Sequence, residues 1–192
     1  MRHGLITTGL NHTLHKFTTP IFDNGDDPPK KKENDSQLLV MLDAEGGMGL
    51  GYTGIAGGND EKGWLYVSNE GARNGNYLTG GDSKVVTQKF NTKNELLKEL
   101  SGRYESRLEY TMSYNDVQIA LKASLSDAKK YYHVYLHNCG DVVYKGMRAA
   151  GFNAIDISVS PNKMFFQFRD NYGGKWVHPY NKKVADKLYN TK

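Results

Sequence analysis

Cys139 is the only cysteine in the 192-residue chain, and it follows Asn138 in the run Leu136-His137-Asn138-Cys139-Gly140-Asp141. An asparagine before a short amphipathic stretch reads as a helix start. Val143, Met147 and Ala150 fall on one face, and Gly151 is the stop. At such a position unpaired backbone N–H groups and the helix dipole favour a thiolate, which attacks carbonyls. A cysteine hydrolase also needs an imidazole to take the proton and donors for the oxyanion. Two roles fit Cys139: a nucleophile with Asn138 as helix cap and oxyanion support, or a small buried hydrophobe.

The chain has six histidines, and spacing singles out none of them as the base. His137 lies two residues before the cysteine, where its side chain can point away; His133 and His178 are the other choices. His12 and His15 are close enough in sequence to share a helix face, but two histidines without a carboxylate make a weak metal motif. No metal and no cofactor are expected.

Several elements have to position these groups. Leu38-Leu39-Val40-Met41-Leu42 reads as a buried strand. Tyr52 to Ala56 and Trp64 to Ser68 read as a hairpin around the turn residues Gly57 to Gly63, with a long glycine-bearing loop from Gly71 to Gly81. Thr92-Lys93-Asn94-Glu95 is a capping box ahead of Leu96, Leu97 and Leu100. Ser113 opens a second helix through Val117, Leu121, Leu125 and Ala128. Ser160-Pro161 opens a last one that buries Met164, Phe165 and Phe168. The reading is an α+β domain from residue 38 to 192. Ahead of it lie an N-terminal arm over Leu5 to Phe17 and a Pro/Lys linker that closes at residue 37.

A hydrophobic content of 38% with thirteen tyrosines and 21 glycines suits one loop-rich domain. The net charge of +4 is spread out except at Lys30-Lys31-Lys32 and Lys182-Lys183, so nucleic acid is not an expected partner. One cysteine excludes an internal disulfide framework and a zinc site built on cysteine pairs. No apolar run reaches the roughly 18 residues of a transmembrane helix, and the N-terminus lacks the pattern of a secretory signal.

The order of these motifs resembles the circularly permuted NlpC/P60-like branch of the papain-like fold, to which the lecithin:retinol acyltransferase-like proteins belong. It also resembles the C-terminal toxin domains of Rhs-type polymorphic toxins from Bacteroidetes. The residues that carry the likeness are Gly51-Tyr52, Gly57-Gly58-Asn59-Asp60, Gly63-Trp64-Leu65-Tyr66-Val67-Ser68 and Asn138-Cys139-Gly140-Asp141, with Gly9-Leu10-Asn11-His12-Thr13-Leu14-His15 ahead of the domain. The resemblance implies an antiparallel sheet packed on helices and a secreted antibacterial effector that cleaves an amide or ester through Cys139. Peptidoglycan peptide is the favoured substrate, and acyl groups on lipid are an alternative. It further implies delivery into a target cell without a signal peptide, by a secretion apparatus such as the type VI system or on a larger carrier polypeptide. A cognate immunity protein is the implied partner.

The family pattern places its histidine where this chain has Tyr52, and its orienting polar residue at Ser68, with Asn69 next. A phenol with a pKa near 10 cannot share a thiol's proton near neutral pH as imidazole does. Tyr52 is then an inactivating substitution, or is replaced by His133, His137 or His178, or marks a different register and activity, or simply packs in its strand. A non-catalytic binding module on the same fold is the rival reading.

Overall fold

The computed structural model describes residues 35–74, 79–153 and 160–178. They belong to the second of two compact units, Lys32–Lys192. The N-terminal arm with His12 and His15, most of the Pro/Lys linker and Lys182-Lys183 lie outside the described residues.

Six antiparallel strands form one sheet in the order β4-β3-β2-β1-β5-β6. β1 (Ser36–Asp43), β2 (Tyr52–Asn59) and β3 (Gly63–Ala72) are the expected buried strand and hairpin. β1 starts inside the expected linker because Ser36 is buried and its hydroxyl accepts a 2.9 Å bond from Asn59 Nδ2. The hairpin turn is shorter than expected. Gly57 and Gly58 continue β2, and Asn59 Oδ1 accepts the N–H groups of Glu61 and Lys62 to close the turn. Sequence reasoning missed β4 (Ser83–Phe90), β5 (Ser106–Met112) and β6 (Lys175–Val177).

The helices begin where their caps dictate. α1 (Lys93–Leu100) carries the Thr92–Glu95 capping box, and α2 (Tyr114–Ala128) starts on Ser113, whose side chain accepts Asp116 N–H. α3 (Cys139–Ala149) has its own capping box between Asn138 and Asp141, and Gly151 follows its end with φ of 96°. α4 (Pro161–Tyr172) starts on Ser160 with proline in its first turn and ends at Gly173 in the left-handed region.

The sheet has two covered faces. On one, Leu38, Val40, Leu42, Ile55, Val67 and Leu108 pack against α2, α3 and α4, with Phe165 and Phe168 fully buried. On the other, Leu39, Met41, Ala56, Trp64 and Tyr66 pack against Leu96 and Leu100 of α1 and against Tyr104. α3 is pressed closely onto α2 and β2. A Cβ on Gly146 would come within 2.1 Å of Ser124 Oγ and 3.0 Å of the Ala120 carbonyl and Ile55 Cδ1.

Candidate functional site

Cys139 is the first residue of α3, and Asn138 fixes that start from both sides. Its Oδ1 accepts Gly140 N–H at 2.7 Å, its own N–H donates to Asp141 Oδ2 at 2.8 Å, and its Nδ2 donates to the Val134 carbonyl at 2.8 Å. Asn138 thus ties the helix start to the preceding loop. The oxyanion support expected of it rests on this positioning, because its side-chain atoms are all engaged within the protein.

Cys139 is 4% exposed, and its sulfur accepts a long 3.5 Å bond from Thr53 N–H on β2. The Thr53 hydroxyl is buried against it without a well-formed hydrogen bond of its own. Burial pushes the thiol pKa up, and the N–H groups of Thr53 and Gly140 oppose that shift without cancelling it. The helix start alone predicts a thiolate; the buried site keeps the neutral thiol.

Gly47, Leu50, Gly51, Tyr52, Tyr132, Val134, Asn138, Cys139 and Pro161 line the cleft at this point, and its volume of about 20 Å³ is room for about one water molecule. Tyr52 shares this cleft with Cys139, but its ring packs with the α1-side cluster. Its hydroxyl donates to Ser68 Oγ at 3.2 Å and accepts from the Arg103 guanidinium at 2.8 Å. The ring stacks on Tyr104 at 5.9 Å, and Arg103 is also ion-paired to Glu70. Burial, then the neighbouring Tyr66, push the Tyr52 phenol far above its ordinary range, against the opposing effects of Ser68 and Arg103. Tyr52 is held neutral and cannot serve as a base near pH 7.

Ser68 is fully buried beside Tyr52, so the two positions assigned as base and orienter are in contact. Asn69 faces elsewhere. Its Nδ2 donates to Ser83 Oγ at 2.9 Å and its Oδ1 accepts Gly71 N–H, which shapes the bend where the β3–β4 register shifts.

The three histidines among the described residues have other partners. His137 Nε2 bonds Asp127 Oδ2 at 2.8 Å, and Asp127 also holds Lys130 at 2.6 Å. Hydrogen bonding to Asp127 raises the His137 pKa, against its partial burial. Burial alone would raise Asp127, but the bonds from His137 and Lys130 hold it below the usual carboxylate value. His133 Nδ1 accepts Tyr135 N–H, and His178 Nδ1 bonds Ser106 Oγ at 2.6 Å while its ring stacks on Trp176. None makes a hydrogen bond to Cys139.

Sequence reasoning missed Thr53, Arg103, Tyr104, Tyr132 and Asp127 around this site. Burial, together with the adjacent Cys139, pushes the Tyr132 phenol up to about 12. Thr53 alone had a readable signal, its place beside Tyr52. Among the described residues no group of three or more His, Cys, Asp or Glu side chains is arranged to hold a metal. No described helix is long and apolar enough to cross a membrane. The chain matches no family model, no curated protein and no solved structure.

Proposed function

We propose that this chain is an effector toxin domain of permuted papain-like ancestry, carrying a cysteine-hydrolase site that Tyr52 holds inactive. The observation behind this reading is the convergence of three distant positions. Cys139 starts α3, Tyr52 lines the same cleft, and Ser68 bonds Tyr52 as an orienter bonds a base. What is missing is an imidazole, since phenol at residue 52 keeps its proton. With histidine there, the imidazole would take the thiol proton and the thiolate would attack an amide or ester carbonyl. The amine or alcohol would leave with that proton as its bond to the carbonyl breaks, giving an acyl-enzyme that water then hydrolyses to the free acid and the thiol. Backbone N–H groups at the α3 start would hold the oxyanion.

Peptidoglycan peptide is the favoured substrate, with ester-linked acyl groups on lipid as the alternative. Delivery on a larger polypeptide or by a secretion apparatus belongs to the same proposal, and a cognate immunity protein is the partner that the active, histidine-bearing form would require. A second reading, a non-catalytic binding module on this fold, is favoured by the burial of the thiol.

Expression in a recipient bacterium, directed to cytoplasm or periplasm, separates the readings. Wild type is expected to be harmless. Tyr52→His is expected to kill, because a placed general base contributes about 10²–10⁴-fold in rate, and Tyr52→His with Cys139→Ala is expected to be harmless again. A folded Tyr52→His protein without toxicity supports the binding module. Wild-type toxicity that survives Cys139→Ala removes the cysteine assignment altogether.

A further inference from the structure

The described residues leave five large hydrophobic side chains exposed: Met48, Ile119, Tyr131, Tyr135 and Leu136. All but Ile119 lie on two turns that border the Cys139 cleft, one contributing Gly47, Leu50 and Gly51 to its wall and the other Tyr132 and Val134. Neither turn is loosely held. In the second, His133 N–H donates to the His137 carbonyl at 2.8 Å and His137 N–H to the His133 carbonyl at 2.9 Å. Asn138 Nδ2 holds Val134 from below. This fixed turn projects Tyr135 and Leu136 into solvent, Leu136 at 77% exposure. Beside it, Tyr131 lies over Gly80 and donates to the Thr79 carbonyl. On the first turn Met48 is 62% exposed at φ of 60°, a left-handed conformation that a side-chain-bearing residue adopts at a cost.

We infer that these two lips form a membrane-docking rim that seats the cleft on an anionic phospholipid bilayer. The residue types fit an interface: tyrosines place an apolar ring and a polar tip at headgroup depth, while leucine and methionine reach the acyl boundary. Lys129 and Lys130 are exposed and directly precede Tyr131, where they meet anionic headgroups, Lys130 from its ion pair with Asp127. The exposed acids nearby are Glu45, close to Met48, and Asp82 beside the Lys130–Tyr132 segment. A protein partner fits less well. A few side chains on separate turn tips offer far less than the roughly 800 Å² per partner of a stable protein interface. The rim acts through its surface, not through Cys139, so its failure would leave the hydrolase reading standing.

The test is co-sedimentation of the full chain with vesicles of phosphatidylglycerol and phosphatidylcholine, or of phosphatidylcholine alone. Wild type and Cys139→Ala are expected to pellet with the anionic vesicles and less with the neutral ones. Tyr135→Glu with Leu136→Glu is expected to lower partitioning by about tenfold or more, while Ile119→Glu on α2 stays within about twofold of wild type. Leu136→Gln, a milder change at the most exposed position, is the second variant should the double substitution melt early. Wild type that remains in the supernatant, or rim variants that pellet like wild type, overturn the proposal. So does a lipid-free dimer that the rim substitutions dissociate, which would make the occupant a second copy.

Discussion

Thr53 and Tyr52 are neighbours on β2, yet they belong to opposite environments. Thr53 joins Cys139 beside the aliphatic and phenylalanine core under α2, α3 and α4. Tyr52 joins Tyr66, Tyr104, Arg103, Glu70 and Ser68 on the face that α1 covers. The first environment keeps a lone thiol neutral by desolvation. The second satisfies a set of hydroxyls through one guanidinium and a 2.5 Å Tyr66–Tyr104 contact. A thiol and a proton acceptor must meet to react, and here the residue at the base position lines the thiol's cleft while its hydroxyl is engaged by Ser68 and Arg103 of the other set.

The largest test of this contrast is at its apolar extreme. Phe165→Ala, on the α4 side, is expected to cost about 3–5 kcal/mol, and Leu96→Ala, on the α1 side, about 2–5. Urea unfolding measures both, and a larger loss at Leu96 would reverse the ranking of the two faces. Arg103→Met comes next. It strips Tyr52 and Glu70 of their shared donor while filling similar space, and is expected to cost about 1–3 kcal/mol in the same assay. A neutral result would mean the polar face does not depend on that guanidinium.

The smallest effect is the pH dependence at the cleft's border. The His137 pKa is raised in the fold by Asp127, so the pair's stabilisation is whole below the unfolded histidine value of about 6.5 and is lost as pH rises through the folded one. Asp127, held low, adds stability above the ordinary carboxylate value and loses it as pH falls through its own. The urea midpoint is expected to decline as pH rises above the ordinary histidine value in wild type and to flatten there in His137→Gln. An unchanged slope in His137→Gln would assign the decline to other groups.

Local signals made much of this molecule legible. Thr92, Ser113, Asn138 and Ser160 each cap the helix expected of them, because a cap is decided by residues within one turn. Leu38 to Leu42 read as a buried strand because both faces of β1 are covered. β5 was missed although Leu108 and Tyr110 alternate with Arg107 and Glu109, and β6 is too short to carry a pattern. β4 has no clear period because Val85 packs on one face of the sheet and Val86 and Phe90 on the other. At the site, the start of α3 was readable and its surroundings were not. Arg103 and Tyr104 reach Tyr52 only through the packing of β2 against the α1–β5 connection. Asp127 reaches His137 only because α2 ends beside the loop before α3. Such meetings depend on register and crossing, which no stretch of sequence encodes alone.

Gly146 gives α3 a fulcrum. The helix bears on Ser124, Ala120 and Ile55 at this point, and Cys139 lies seven residues away, about 10 Å along the axis. A rigid rod pressed at its middle transmits displacement to its end, so a methyl group at residue 146 would pry α3 off α2 and β2 and swing the sulfur relative to Thr53. The placement of the thiol against Thr53 thus depends on close packing at a residue that does not line the cleft.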